Sequence, residues 1–503
     1  MHNKFSTQTL LPVFGLALLF TFGCSKEDLT PSENPGVSAT QEATQGQGTV
    51  TLRAKHYIII ASGDKLPTTI AEQTQAANGK VTSLLTEVGI AAATSDDPNF
   101  AAKASKISGV RSVVRDFTYQ GVDPREDRSV EAVADNTNPA SSGDDDPFFR
   151  YQWGATAIQA PEAWNTGAKG EGVVVADLDS GFDLTHPDLR DNILAASKSF
   201  VPGETTQFTG TGSTQGTHTA GTIAAVDNNI GVIGIAPKAK LLLVKVLGDA
   251  GSGSFSWMMN GILYAVEQNA DVINMSLGAA FPRNGKFLDD NNTPNDPSDD
   301  FIVNDAKATQ ELIVAINKVT SYATRKGVTI IASAGNDAND GNHDQSLVHI
   351  PADATGVISI SATAPFGWAK APLTANLDEL ASYSNYGTSA IDFAAPGGDF
   401  DYFYAFGAEP IVFKGLNRAV YVFDMVLSTD RTGGYSWMAG TSMAAPHATG
   451  VAALIIGKNG GQMDPTRVEA ALRASSDDLG KPGRDEQYGH GRVNAFRAVS
   501  PAN

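Results

Sequence analysis

The chain has 503 residues, 42% of them hydrophobic and 18% charged, a globular mix long enough for about three domains. Against 36 Lys and Arg stand 55 Asp and Glu; the net charge of −19 opposes long-range attraction to nucleic acid or to an anionic membrane surface. The single cysteine, Cys24, excludes an intrachain disulfide framework and a Cys-rich zinc module.

Lys4 precedes an apolar run, Leu10 to Phe22, whose 13 residues fall short of the ~20 needed to cross a bilayer. Residues 1–24 therefore read as a signal peptide. The run ends in Thr21-Phe22-Gly23-Cys24, which resembles the lipobox of bacterial lipoproteins, where the cysteine is lipidated. Gly23 and Cys24 match that pattern; Thr21 and Phe22 do not, and the alternative is an unused thiol. Residues 25–50, rich in Ser, Thr, Gln, Glu and Pro, cannot bury a core and are expected to be a flexible tether. Over 51–120, "HYIIIA" predicts a strand, Thr68 to Ala77 a helix and "KVTSLLTEVGIAAAT" two strands about Gly89. Pro98 to Ile107 then predicts a helix, and "GVRSVVRDF" a last strand. That βαββαβ order makes a ferredoxin-like unit, which serves equally well as a binding module in its own right. The polar stretch 121–146, with "SSGDDDP", is a linker and a natural place for a protease cut.

From 147 to 503 the texture changes. Short apolar strands ("GVVVADLD", "AKLLLVKVL", "DVINMSL", "VTIIASAG", "GVISISA", "AIDFAAPG") alternate with helical stretches such as Ser256 to Asn269 and Asp305 to Lys326. The fold class is thus α/β, a mostly parallel central sheet flanked by helices, preceded by the small α+β ferredoxin-like domain. In such sheets function gathers at the carboxyl ends of the strands. Pro282 to Asp300 and Phe400 to Thr432 break the alternation and look like surface insertions, the first a solvated acidic loop without the Gly and closing Glu of an EF-hand.

Three segments place a reactive side chain in a turn lined by small residues. In "DLDSGFDLTHPDL", Asp179 ends a strand and precedes Ser180-Gly181; it is equally a solvated strand-end carboxylate. In "GTSMAAPHATGVAAL", Ser442 opens a helix, where a serine is usually an N-cap. In "IIASAGND", Asn336 follows Gly335 and can aim its amide at an oxyanion.

Together these segments are more specific. Residues from Gln152 to about Ala502 resemble the catalytic domain of the subtilisin-like serine peptidases: "DSG", "GTHTAGTIAA", "VINMSLG", "SAGN" and "GTSMAAPH" stand in the family's order. The resemblance implies that Asp179 is the orienting acid, Ser442 the nucleophile and Asn336 the oxyanion donor. It implies that Ser276, Leu277 and Gly278 face Ser333, Ala334 and Gly335 across the primary specificity pocket, with Asp337 at its rim able to tolerate a basic residue. Gly253 to Phe255 would lie beside an extended substrate as an edge strand, and Leu247, Phe255, Met258 and Leu277 would line a second, apolar pocket. The preceding domain resembles the family's propeptide, an intramolecular inhibitor whose last strand leads into the cleft. The implied metal is a structural Ca²⁺ held by Asp188, the Asn228 side chain and carbonyls of Val226, Ile230 and Val232. The family's further N-terminal ligand is missing: Phe149 falls near its place and Asp146 is a candidate substitute. No organic cofactor is expected. The implied protein is an exported monomer acting on peptides or proteins, touching a membrane only through its lipid anchor.

One departure matters. The family writes the histidine turn as His-Gly-Thr-His, the first histidine being the general base; here it reads Gln215-Gly216-Thr217-His218. A carboxamide cannot accept and return a proton near neutral pH, so Ser442 would stay an alcohol, a poor nucleophile. In subtilisin, removal of that histidine lowers kcat by about 10⁶-fold. Two readings follow: a serine endopeptidase with impaired turnover, or a catalytically silent homologue that binds peptides or a partner in the cleft. His218 is the candidate substitute base; His186 and His447 match family positions that are not catalytic. Asp177 shares a strand face with Asp179, where the family has an apolar residue. Either one carboxyl of the pair has a raised pKa or Asp177 meets a cation.

Overall fold

The computed structural model describes residues 50–120, 125–128, 146–212, 214–289, 298 and 301–500. The expected signal peptide, Cys24, the tether up to residue 49 and most of the expected linker lie outside these residues; Val50, the tether's last residue, opens the first strand.

The first elements are β1 (Val50–Ala61), α1 (Ile70–Ala76), β2 (Lys80–Leu85), β3 (Ile90–Thr94), α2 (Phe100–Ala104) and β4 (Val110–Gln120). This is the βαββαβ order read from the sequence. β1 pairs antiparallel with both β3 and β4, and β2 with β3. Ile59, Ala91, Ala93 and Val113 face α1 and α2, burying Phe100 completely. Ile58, Ile60 and Val114 point the other way, into a cluster shared with the larger domain, as the two-residue period of a strand requires.

In the larger domain the elements that position the site are β5 (Val174–Asp179), α3 (Gln215–Ala224), β6 (Lys240–Lys245), β7 (Ser252–Ser254), α4 (Phe255–Glu267) and β8 (Val272–Met275). After them come β9 (Lys286–Asp289), β10 (Phe301–Asn304), α5 (Ala306–Arg325), β11 (Thr329–Ser333), β12 (Val357–Ala364), β13 (Phe393–Pro396) and α6 (Thr441–Lys458). β13, β12, β11, β8, β5 and β6 pair in parallel in that order. The two-residue strand Lys198–Ser199 adds to β6 in parallel, and Glu379–Leu380 adds antiparallel to β12. Burial on both faces explains the unbroken apolar runs: every residue of β8, β11 and β12 is buried. Caps set the helix starts one residue from expectation: Ser254 accepts from Trp257 N ahead of α4, and Asp305 from Ala308 N ahead of α5.

Both expected surface insertions need correction. The acidic stretch is not simply a solvated loop, because its flanks form the antiparallel hairpin β9–β10 and β9 joins the sheet of the N-terminal domain, Thr51 pairing with Leu288 in parallel. The stretch 400–432 is not simply surface: Tyr402, Phe413 and Leu416 are buried in its first half. Val420, Val422, Phe423 and Leu427 are core residues, while the aromatic residues Phe403, Tyr404 and Phe406 stay exposed.

Candidate active site

β5 delivers Asp179 at its carboxyl end, fully buried. Its carboxylate accepts the Ser180 amide at 2.6 Å. α3 starts opposite, capped by Thr214, whose side chain accepts from Thr217 N, so that Gln215 is its first residue. A Cβ at Gly216 would lie 2.8 Å from the Ser180 carbonyl oxygen, so only glycine permits this approach of α3 to β5. Gln215 Nε2 donates to Asp179 Oδ2 at 2.9 Å and to the Ser276 carbonyl at 2.6 Å. Every atom facing that nitrogen is an acceptor, which fixes the amide's orientation and commits both of its hydrogens.

Ser442, the second residue of α6, is buried, and its Oγ donates to the same Ser276 carbonyl at 3.2 Å. Asn336 follows β11. Its Oδ1 accepts from Thr441 N at 2.8 Å and from Thr441 Oγ1 at 2.7 Å, while that hydroxyl accepts from Gly335 N at 3.1 Å. The amide nitrogen of Asn336 is thereby turned toward Gly440. A methyl built on Gly440 would stand 3.5 Å from Asn336 Nδ2, 3.6 Å from Ser442 N and 3.8 Å from Ser442 Cβ. Two N–H donors and the serine side chain thus converge on one small space, the arrangement that stabilises an oxyanion formed by attack of Ser442. Gly335, at φ +108°, has no room for a side chain: a Cβ would lie 2.3 Å from Asn385 Nδ2.

The profile of the peptidase S8 Subtilase family matches residues 170–491. The chain belongs to this family. It is 34% identical to subtilisin E of Bacillus subtilis strain 168 over 69% of its own length and 71% of the relative's. It is 32% identical to thermitase of Thermoactinomyces vulgaris over 70% of its length and 98% of the relative's. In fold it is similar to the epidermin leader peptide processing serine protease of Staphylococcus aureus, with a TM-score of 0.68 at 23% identity over 89% of this chain and 99% of that one.

Within this subtilase, the structure does not bring His218 to Ser442. Its Nε2 donates to the Val426 carbonyl at 3.0 Å, and complete burial pushes its imidazole down to about 4. As a substitute base it is therefore corrected to a buried neutral residue. His186 donates to the Gly434 carbonyl at 2.9 Å and accepts from Asp188 N at 3.1 Å; His447 donates to the Met443 carbonyl at 2.8 Å.

Asp177 meets no cation among the described residues; it accepts from Thr219 Oγ1 and Asn274 Nδ2, both at 2.8 Å. Burial first, and then the Asp179 charge, hold its carboxyl well above the ordinary range; burial raises Asp179 as well. Both shifts run in the direction that favours a proton on the pair. Asn274 Nδ2 also donates to Ser276 Oγ at 3.1 Å, and that hydroxyl donates to the Ser442 carbonyl at 2.8 Å. Thr449 Oγ1 donates to Asn274 Oδ1 at 3.0 Å. Sequence reasoning passed over Thr219, Asn274, Thr441 and Thr449. Asn274 had a signal, being a polar residue inside an apolar strand.

Ser276, Leu277, Ser333 and Ala334 are buried at the ends of β8 and β11, with Gly278 and Gly335 beside them. Asp337 is not a free rim carboxylate: it lies 3.7 Å from His349 Nδ1 and is nine-tenths buried. Leu247, Phe255, Met258 and Leu277 are buried in one cluster that also holds Tyr119, whose ring centroid is 4.6 Å from that of Phe255. β7 is paired antiparallel with the end of β4, Tyr119 opposite Gly253. The N-terminal domain therefore occupies the edge expected to receive an extended peptide.

Around Asp188, Asn228 Nδ2 donates at 3.4 Å, Val232 N at 3.1 Å and Tyr435 OH at 2.9 Å. Val226 N donates to the Asp188 carbonyl at 2.8 Å. Asp146 closes the same loop, accepting from Ile230 N at 3.0 Å and from Asn228 N at 3.4 Å. Burial and the neighbouring Asp188 and Asp227 push Asp146 up to about 8, and burial pushes Asp188 up to about 6. Two buried carboxylates, Asp146 and Asp188, and the Asn228 amide meet at the 226–232 loop, and their oxygens are hard donors of the kind that fit a divalent cation such as Ca²⁺.

Proposed function

We propose that this chain is a subtilisin-like serine endopeptidase scaffold whose cleft binds extended peptides and whose turnover is held low by Gln215. The carrying observation is the commitment of the Gln215 amide: both hydrogens bind acceptors, Asp179 and the Ser276 carbonyl. The remaining atom, Oε1, can accept a hydrogen bond but not the proton of Ser442. Peptide-bond hydrolysis needs that transfer: as Ser442 Oγ bonds to the substrate carbonyl carbon, its hydrogen must pass to a base and from there to the leaving amine. Asn336 Nδ2 and Ser442 N are placed to hold the oxyanion, and Asp179 to orient a base that is not there.

The same commitment of Gln215 supports a second reading, a catalytically silent subtilase whose cleft binds peptides or a partner. Under the first reading the N-terminal domain acts as an inhibitory propeptide; under the second it occupies the binding cleft. Reaction of Ser442 with a fluorophosphonate probe separates them. Slow but Ser442-dependent labelling supports the impaired peptidase, and none above a Ser442→Ala control supports the silent one. Labelling as fast as in a histidine-bearing relative would overturn both.

We also infer a structural Ca²⁺ held by Asp188, Asn228 and carbonyls of Val226, Ile230 and Val232, with Asp146 in place of the missing N-terminal ligand; it would neutralise the carboxylates and pin the loop to α3. Export, lipidation at Cys24 and a monomeric state complete the proposal and rest on the sequence. Among the described residues no helix is long and apolar enough to cross a membrane.

A further inference from the structure

The hairpin β9–β10 belongs by sequence to the peptidase domain and by hydrogen bonding to the N-terminal one. β9 extends the N-terminal sheet on the side of β1 opposite β4, through the Thr51 and Leu288 pair. Asp289, only 2% exposed, receives Arg115 Nη1 at 2.8 Å, while Arg115 Nη2 donates to the Leu52 carbonyl at 3.0 Å. One guanidinium thus ties β4, β1 and β9 together. Just before the hairpin, Phe281 packs edge-on against Phe117 of β4 at 5.4 Å. At the same C-terminal end of β4, on its other edge, Thr118 to Gln120 pair with β7 at the cleft.

The peptidase domain therefore holds its N-terminal domain at two strand edges, one in the cleft and one supplied by the insertion. Two edges on one rigid body act as a bivalent site: when one contact opens, the other keeps the partner at high effective concentration. Departure of the N-terminal domain would leave Asp289 without its Arg115 partner and an open β9 edge beside the exposed Leu288, Phe301 and Ile302, and such edges invite aggregation.

We propose that β9 is a receptor strand that keeps the N-terminal domain bound as a non-covalent subunit after the connecting segment is cut. This goes beyond the proposed inhibition of the cleft, and its test does not depend on turnover. The full chain carrying Ser442→Ala would receive a site for a sequence-specific endoprotease at Asn136. After cutting, the two pieces would be followed by size-exclusion chromatography, and their dissociation rate by dilution of a dye-labelled sample.

The pieces of the otherwise unaltered chain are expected to co-elute. Asp289→Ala, Arg115→Ala and replacement of 286–304 by a short Gly-Ser loop are each expected to raise the dissociation rate by about tenfold, and in any case more than about threefold. The double variant Arg115→Ala with Asp289→Ala should exceed either single variant by less than the product of their effects. Spontaneous separation of the cut parent would overturn the proposal, as would a rise below about threefold in the two point variants. The point variants decide the matter if the loop replacement fails to fold.

Discussion

The two flanks of the cleft are built to different standards. On the α6 flank, Ser442, Asn336 and Thr441 are fixed by a closed set of neutral hydrogen bonds, and the oxyanion donors converge without strain. On the β5 flank, two carboxylates share one buried strand face, and the residue between Asp179 and the nucleophile can only donate hydrogens or weakly accept one. Stabilising a transition state needs both preorganised dipoles and a route for the proton. Under the proposed reading this chain has the dipoles and lacks the route.

The largest test restores the missing route. Gln215→His should raise hydrolysis of a fluorogenic peptide by up to about 10⁶-fold, with Asp179 orienting the new imidazole, and Ser442→Ala in that variant should abolish the gain. Equal rates for the parent and Gln215→His would break the comparison, showing that Ser442 is already activated. Next in size, Asn336→Ala added to Gln215→His should lower kcat by about 10²–10³-fold. KM should stay nearly constant, because the amide meets charge that exists only in the transition state.

Much of this contrast was legible in the sequence. Apolar runs of strand length between helical stretches gave the parallel sheet, and the turns around Asp179, Asn336 and Ser442 stood out because small residues crowd them. Gln215 was legible only against a family pattern, since an isolated glutamine at a helix start carries no signal. What stayed hidden depends on contacts between distant segments. Asn274 meets Asp177 and Thr449, and Asp289 meets Arg115, pairings that no local periodicity encodes. The acidic insertion read as solvated because its charges dominate its composition, whereas its two ends are strands whose partner lies far back in the chain.

The excess negative charge of the β5 side offers two smaller tests. If Ca²⁺ holds Asp146 and Asp188 together, chelation should lower the melting temperature in calorimetry. At a free ion concentration of about 100 Kd the lost stabilisation is ~2.7 kcal/mol. Asp146→Ala should weaken this dependence, and a melting curve unmoved by chelation or added Ca²⁺ would remove the ion from the account.

At Asp177 and Asp179 the raised pKa values point to a proton as the compensating particle, and the direction of its effect follows. Asp177 has a folded pKa raised above the unfolded value of 3.8, so the folded chain binds more protons than the unfolded one throughout the interval between them. Stability must therefore fall as pH rises through that interval, by up to ~1.4 kcal/mol per pH unit for one proton. Asp177→Asn keeps a neutral side chain that can face Thr219 and Asn274, and it cannot ionise. Its unfolding free energy, measured by urea denaturation from pH 5 to 8, should decline less steeply than the parent's. Parallel curves would show that the buried proton resides elsewhere, and that Asp177 is an anion balanced by a charge outside the pair.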